Sequence, residues 1–333
     1  MIEKPRRRRY NSLSVSYVPV AAGKTGGSLL IAVLSKLFPK SFGKKDVNEL
    51  LWEKAIAIIG SFSIVVLILI LVFLLKDGLP LFKDYPAGRF LAGKIWRPIS
   101  DPADFGILPL IMGSLVVTLG AAVMSVPLGV GCAIYIAEIA SPRAKETLKV
   151  LVEIIAGIPS VVLGFLGVLV LSNWVKNIFD LPTGLTAFTG AVMLAFMAVP
   201  TIATISEDAI YSVPNDYRAA SLALGATRWQ TIYRVVIPAS MSGLLAAVLL
   251  GIGRVIGETM VVMMVCGNAP VMPTSLFQPV RTMTATIAAE MGETVRGSGH
   301  YQALFAIGIV LFAISFAINL VSDVIVRKKG ARA

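Results

Sequence analysis

Arg254 and Glu258 stand four residues apart in the run Gly251-Ile252-Gly253-Arg254-Val255-Ile256-Gly257-Glu258-Thr259-Met260, inside a long stretch that is otherwise uncharged. In a helix four residues is about one turn, so both side chains fall on one face and the carboxylate can partly neutralise the guanidinium. Counted from Gly243 at 1.5 Å per residue, Arg254 lies about 17 Å into the stretch. A guanidinium at mid-membrane costs about 3 kcal/mol on insertion scales, which makes an intramembrane charge a functional candidate by default. Two chemistries fit: a buried ion pair that orients a helix, or a fork that grips an oxyanion through two parallel N–H groups. Thr259 belongs to the same candidate pathway, and Gly253 and Gly257 give the small-x-x-x-small face of close helix packing.

Other chemistries are excluded by what is missing. His300 is the sole histidine, and Cys132 and Cys266 are the two cysteines, each in or beside an apolar run. No metal set, disulfide framework or histidine triad can be assembled from them. No serine, cysteine or aspartate pair sits beside a base within the apolar runs, which disfavours an intramembrane enzyme. Gly23-Lys24-Thr25 resembles the end of a phosphate-binding loop, but Val18 occupies the position of its first glycine. No catalytic residue, metal or cofactor is expected, and any ATP must be handled by another subunit.

A second informative segment, 207–236, is polar and unusually well punctuated. Pro214, Asn215 and Asp216 suit a helix start. The helix runs through Tyr217, Arg218, Ala219, Ala220 and Ser221 and stops at Gly225. Thr227 precedes Gln230 by three residues, a capping-box spacing. Trp229, Ile232, Tyr233, Val236 and Ile237 then share one face, and this helix is expected to end at Pro238. An alanine-rich surface lets a partner approach the backbone closely, and arginines at its margin can meet acidic groups.

The elements that must position these residues are membrane helices. Of 333 residues 56% are hydrophobic and 15% charged, with a mean hydropathy of +0.81. A soluble domain is about 25% charged. Six all-α spans are predicted at about 55–75, 108–136, 148–171, 185–205, 237–265 and 303–326, with breaks near Pro127 and Pro159. With the first segment inside, the inside segments hold 21 Lys and Arg and the outside segments 8. Both termini are therefore predicted cytoplasmic in a multi-pass plasma (inner) membrane protein. Residues 1–52 read as a basic cytoplasmic extension without a cleavable signal, and 53–330 as the transmembrane domain. The net charge of +11 is assigned to anionic lipid heads rather than nucleic acid, including Arg6-Arg7-Arg8-Arg9.

The segment around Gly225 resembles the E-A-A-x3-G-x9-I-x-L-P loop of ABC importer permeases. Ala219-Ala220-Ser221, Gly225, Val235 and Ile237-Pro238 fall at its spacings, with Ala219 where the pattern has glutamate. Arg254–Asn268, Ala156–Val162, Thr284–Glu290, His300–Ala306, Trp96, Pro98 and Phe105-Gly106 resemble the PstC-type permeases of the phosphate-specific (Pst) ABC importers, and the likeness runs from about Glu53 to Arg327. This resemblance implies a MetI-like core. It implies a sister permease of PstA type, ATP-binding subunits of PstB type and an extracytoplasmic phosphate-binding protein of PstS type. It places Arg254 and Glu258 on charged pathway positions, and Arg218, Ala219, Ala220, Ser221 and Gly225 in an ATPase-coupling helix. An importer of another oxyanion (molybdate, sulfate or tungstate) is the alternative. An ion channel would have no use for a coupling hairpin.

Overall fold

The computed structural model describes residues 47–330. The sequence-predicted basic extension, with its Gly23-Lys24-Thr25 triplet, lies outside them up to Asp46. Two compact units are distinguished, 1–68 and 69–333. Of the first, the described part is the leading stretch of helix α1 (Val47–Gly78), which is apolar on every side from Ala55 onward.

The second unit is helical but for one two-stranded ribbon, β1 (Trp96–Arg97) antiparallel to β2 (Asp104–Phe105), with Trp96 opposite Phe105. Short helices α2 (Leu81–Asp84) and α3 (Ala87–Ala92) precede it. Helix α4 (Leu108–Ile134) continues as a π-turn (Tyr135–Ile139). Then come α5 (Pro142–Ala156), α6 (Ser160–Leu166), a second π-turn (Gly167–Leu171) and α7 (Ser172–Ile178). Helix α8 (Ala187–Tyr211) leads into the hairpin helices α9 (Asn215–Ala223) and α10 (Arg228–Thr231). A third π-turn (Ile232–Val236) joins α10 to α11 (Ile237–Ile256). Helices α12 (Met260–Val265), α13 (Met283–Glu290) and α14 (Gly299–Gly330) complete the unit.

Among the described residues six helices are long and apolar enough to cross a membrane: Trp52–Asp84, Leu108–Ile139, Ser160–Ile178, Ala187–Tyr211, Arg228–Ile256 and Gly299–Val321. The bounds of all six shift from the sequence expectation, and for two of them the shift changes the reading. The third begins at Ser160 rather than Leu148. Helix α5, capped by Ser141 accepting from the Ala144 N–H, is a separate amphipathic helix with no buried residue. Its charges Arg143, Lys145, Glu146, Lys149 and Glu153 suit a surface, and Pro159 restarts the chain. The fifth stops at Ile256 rather than Val265, for a reason given below. Helices α10 and α11 also form one rod through Pro238, not two pieces. The Ile237 N–H reaches back five residues to the Ile232 carbonyl. That wider turn relieves the clash of the proline ring with the preceding turn.

The core lies along the antiparallel pair α8 and α11. Val117 and Ala121 of α4, Leu194, Ala198 and Ile202 of α8, and Val255 of α11 are buried together with Val261 and Val265 of α12. Their register is set by small residues: a side chain at Gly129 or Gly251 would run into Ile202, and one at Gly243 into Ala209. Close backbone approach without a clash is how membrane helices gain packing energy where no hydrophobic force separates them from lipid.

Candidate functional site

Arg254 lies opposite Thr201 of α8, and its Nη1 donates to the Thr201 hydroxyl oxygen at 3.0 Å. Thr201 is 14 residues from the start of α8 and 10 from its end, about 21 and 15 Å along the axis. The guanidinium therefore lies level with the middle of α8, although in its own helix, which ends earlier than the sequence suggested, it stands in the last turn. Its expected partner is absent: among the described residues Arg254 makes no ion pair. It is exposed on a face of α11 that also carries Leu250 and Gly253, and it borders a cleft of about 210 Å³ shared with Ser315 and Asn319 of α14.

The separation of Glu258 from Arg254 has a local cause. Helix α11 ends at Gly257, and the Glu258 carboxylate accepts the backbone N–H groups of Met260 and Val261 at 3.1 and 3.3 Å. A carboxylate that satisfies the free donors of a new helix competes with continuation of the old one. The Glu258 carbonyl is taken by the Thr284 hydroxyl at 2.9 Å, and the Thr259 hydroxyl turns back to the Gly257 carbonyl at 3.3 Å. Glu258 and Thr259 are thus structural elements of a re-entrant corner. Arg254 keeps Thr201 as its hydrogen-bond partner and has no carboxylate beside it among the described residues.

Beyond this corner the chain turns through Gly267 and Asn268, both at positive φ. It then reaches a hub that sequence reasoning did not assemble. Glu290 accepts from Trp96 Nε1 at 3.2 Å, from His300 Nε2 at 2.8 Å and from Arg281, whose Nε also donates to the Asn268 carbonyl at 3.0 Å. The strings Thr284–Glu290 and His300–Ala306 and the residue Trp96, quoted separately for the resemblance, meet here.

At the opposite end the segment 207–236 forms the expected hairpin. The end of α9 is a Schellman motif: Ala226 N–H donates to the Ser221 carbonyl, Gly225 N–H to the Leu222 carbonyl, and Gly225 has φ +82°. The Thr227/Gln230 capping box is formed on both sides. The Ser221 hydroxyl meets that of Thr231 at 2.9 Å and joins the two helices. Ala219, Ala220, Leu222 and Leu224 are exposed, as are Trp229 and Tyr233. Arg218 is not available to an outside acid. It donates to the Glu138 carboxylate from Nε and Nη2, at 3.1 and 2.6 Å, and to the Val213 and Ile210 carbonyls at 2.6 and 3.1 Å. Nearby, Glu207 is buried between Lys145 at 3.4 Å and Lys149 at 3.3 Å, which holds α5 against α8. No periodicity links Glu138 to Arg218 or Lys145 to Glu207, so neither contact is signalled by local pattern.

The described residues thus combine six candidate spans, a corner after α11 and an exposed alanine-rich hairpin. A family model described as binding-protein-dependent transport system inner membrane component matches residues 125–330. This chain belongs to that family. It is a multi-pass inner-membrane permease and a transport component, not an enzyme. Among relatives, the probable ABC transporter permease protein YqgH of Bacillus subtilis is 42% identical over 228 residues, 68% of this permease and 74% of that protein. The phosphate transport system permease protein PstC of Mesorhizobium japonicum is 34% identical over 262 residues, 73% of this chain and 79% of that one. PstC of Haemophilus influenzae is 29% identical over 299 residues, covering 84% and 93%. A chain of a bacterial alginate ABC transporter, solved with an alginate-bound periplasmic protein, superposes with a TM-score of 0.56 at 17% identity over 83% of this permease and 96% of that chain. The inward-facing MetNI methionine transporter gives 0.51 at 22% identity, covering 67% and 94%. These two likenesses are of fold.

Proposed function

We propose that this permease forms half of an alternating-access pathway that imports inorganic phosphate at the expense of ATP. Its partners are a sister permease of PstA type, ATP-binding subunits of PstB type and an extracytoplasmic phosphate-binding protein of PstS type. The observation that carries this reading is Arg254, a guanidinium level with the middle of α8 that no carboxylate among the described residues neutralises. An anion crossing a low-dielectric region needs a counter-charge, and a guanidinium fork matches phosphate oxygens. The kinship with PstC proteins supports phosphate as the anion.

In this reading both termini are cytoplasmic, residues 1–52 extend into the cytoplasm, and the Glu290 hub faces outward. The excess of Lys and Arg on the segments assigned inside supports that orientation. Helix α9, with Ala219, Ala220 and the Gly225 stop, enters a groove of the ATPase, while Arg218 holds the hairpin in place. ATP binding drives the switch because the ATPase binds the two states with different affinity. The test is uptake of labelled phosphate in cells that depend on this subunit, in competition with unlabelled sulfate and molybdate. Phosphate uptake that resists both competitors is expected. Uptake abolished by molybdate or sulfate at equal concentration would assign the pathway to another oxyanion.

A further inference from the structure

Resting on the phosphate reading, we propose that Thr201, Ser315 and Asn319 complete an anion site around Arg254. Thr201 acts as a positioning residue, and Ser315 and Asn319 act as direct ligands. A guanidinium has five N–H donors in a rigid fork. Here one is used, on the Thr201 hydroxyl oxygen, and it fixes the plane of the group. The remaining donors have no partner among the described residues, and Arg254 borders the cleft that Ser315 and Asn319 share.

Ser315 and Asn319 lie one turn apart on α14 and so share a face. Among the described residues neither side chain makes a hydrogen bond. Asn319 is exposed and Ser315 half-buried, in the middle of a helix otherwise apolar over this stretch. An unpaired carboxamide facing hydrocarbon forfeits several kcal/mol, so polar side chains at this depth face a bundle interior or a water-filled cavity. Depth agrees from two directions. Ser315 is 16 residues from the start of α14, about 24 Å, and Thr201 is about 21 Å from the start of α8. Gly253 contributes room, because a Cβ built there meets no atom within 4 Å.

The ligand chemistry follows from the groups. The fork binds two oxygens of a tetrahedral oxyanion, and the Ser315 O–H and an Asn319 N–H donate to the others. The Ser315 Oγ and Asn319 Oδ1 also accept, so the proton of hydrogen phosphate finds a partner. A fully deprotonated oxyanion leaves that acceptor idle.

The experiment uses the assembled transporter with its ATPase and binding protein, and reads initial phosphate uptake per assembled complex. Thr201→Ser is expected to keep most of the rate, and Thr201→Val to lose about tenfold, the scale of one hydrogen bond to a charged group. In an Arg254→Lys background Thr201→Val should add less than about twofold, because the fork it orients is gone. A merely structural threonine would cost the same in both backgrounds, and that result overturns the positioning role. Asn319→Cys, made in a Cys132→Ala chain, is then exposed to a charged, water-borne thiol reagent with and without inorganic phosphate. Reaction slowed by phosphate supports the direct ligand. Absence of reaction in both resting and ATP-bound complexes means that this face packs on another subunit or lipid, and overturns it. Should the wild-type complex carry sulfate or molybdate instead, the substrate reading fails, and the same variants scored with that anion decide the site independently.

Discussion

Truncating Arg218 to alanine should release the hairpin from the end of the second span. Arg218 reaches the Glu138 carboxylate through two N–H groups and two backbone carbonyls through the others. The side chains of the pair are 20% and 11% exposed, so water screens them little. Removing one partner of a buried pair costs about 3–5 kcal/mol, and the residual exposure places this case at the lower end, about 3 kcal/mol. At 1.4 kcal/mol per factor of ten, the open population of the hairpin should rise roughly a hundredfold. Glu138→Gln keeps an acceptor but loses the charge and should cost about 1 kcal/mol. The double variant Arg218→Ala with Glu138→Ala should cost less than the sum of the single changes, since no charge is stranded. Tryptic cleavage at Arg228 and Arg234 in the purified complex reads the opening directly. Cleavage of Arg218→Ala at the wild-type rate, or strict additivity of the two changes, would refute the role of this pair.

Three further outcomes are expected. Gly225→Val forces a β-branched residue to φ +82° where nothing crowds the side chain, so the cost is backbone strain of at least about 1–2 kcal/mol. The chain should stay in the membrane but lose ATPase association and uptake, and normal uptake would count against docking by α9. Because Glu258 caps α12 rather than pairing with Arg254, the effects of Arg254→Ala and Glu258→Ala on thermal stability should add. A Glu258→Ala change that rescued Arg254→Ala would restore the ion-pair view. Ser298→Cys should react with an impermeant reagent on intact cells, and labelling only after lysis would reverse the orientation.

Features carried by local pattern were legible in the sequence. Apolar runs located the six spans, and Gly225, Thr227 and Gln230 located both turns of the hairpin because caps act within four residues. The start of the third span was missed because the leucines and valines of 148–155 were read for hydropathy, although Lys145, Lys149 and Glu153 already mark an amphipathic surface helix. The pairing of Arg254 with Glu258 assumed an unbroken helix. Gly257 between them was the signal that it breaks. Contacts across the bundle were out of reach. Arg254 to Thr201, Arg218 to Glu138 and Trp96 to Glu290 span 53, 80 and 194 residues. The first depends on where Gly251 and Gly129 let backbones close in on Ile202, and none of the three follows from a periodicity.

The π-turn at Ile232–Val236 has a mechanical consequence. By carrying the helical hydrogen bonding past Pro238, it makes Arg228–Ile256 one continuous helix. From Arg228, beside the exposed hairpin, to Arg254 is 26 residues, or about 39 Å of rod. A swing of about 5° at the hairpin end would carry the guanidinium sideways by about 3 Å, the length of a hydrogen bond. A chain broken at the proline would have lost that displacement in the hinge. A continuous helix carries it to the level of Thr201, where such a distance separates a held ion from a released one.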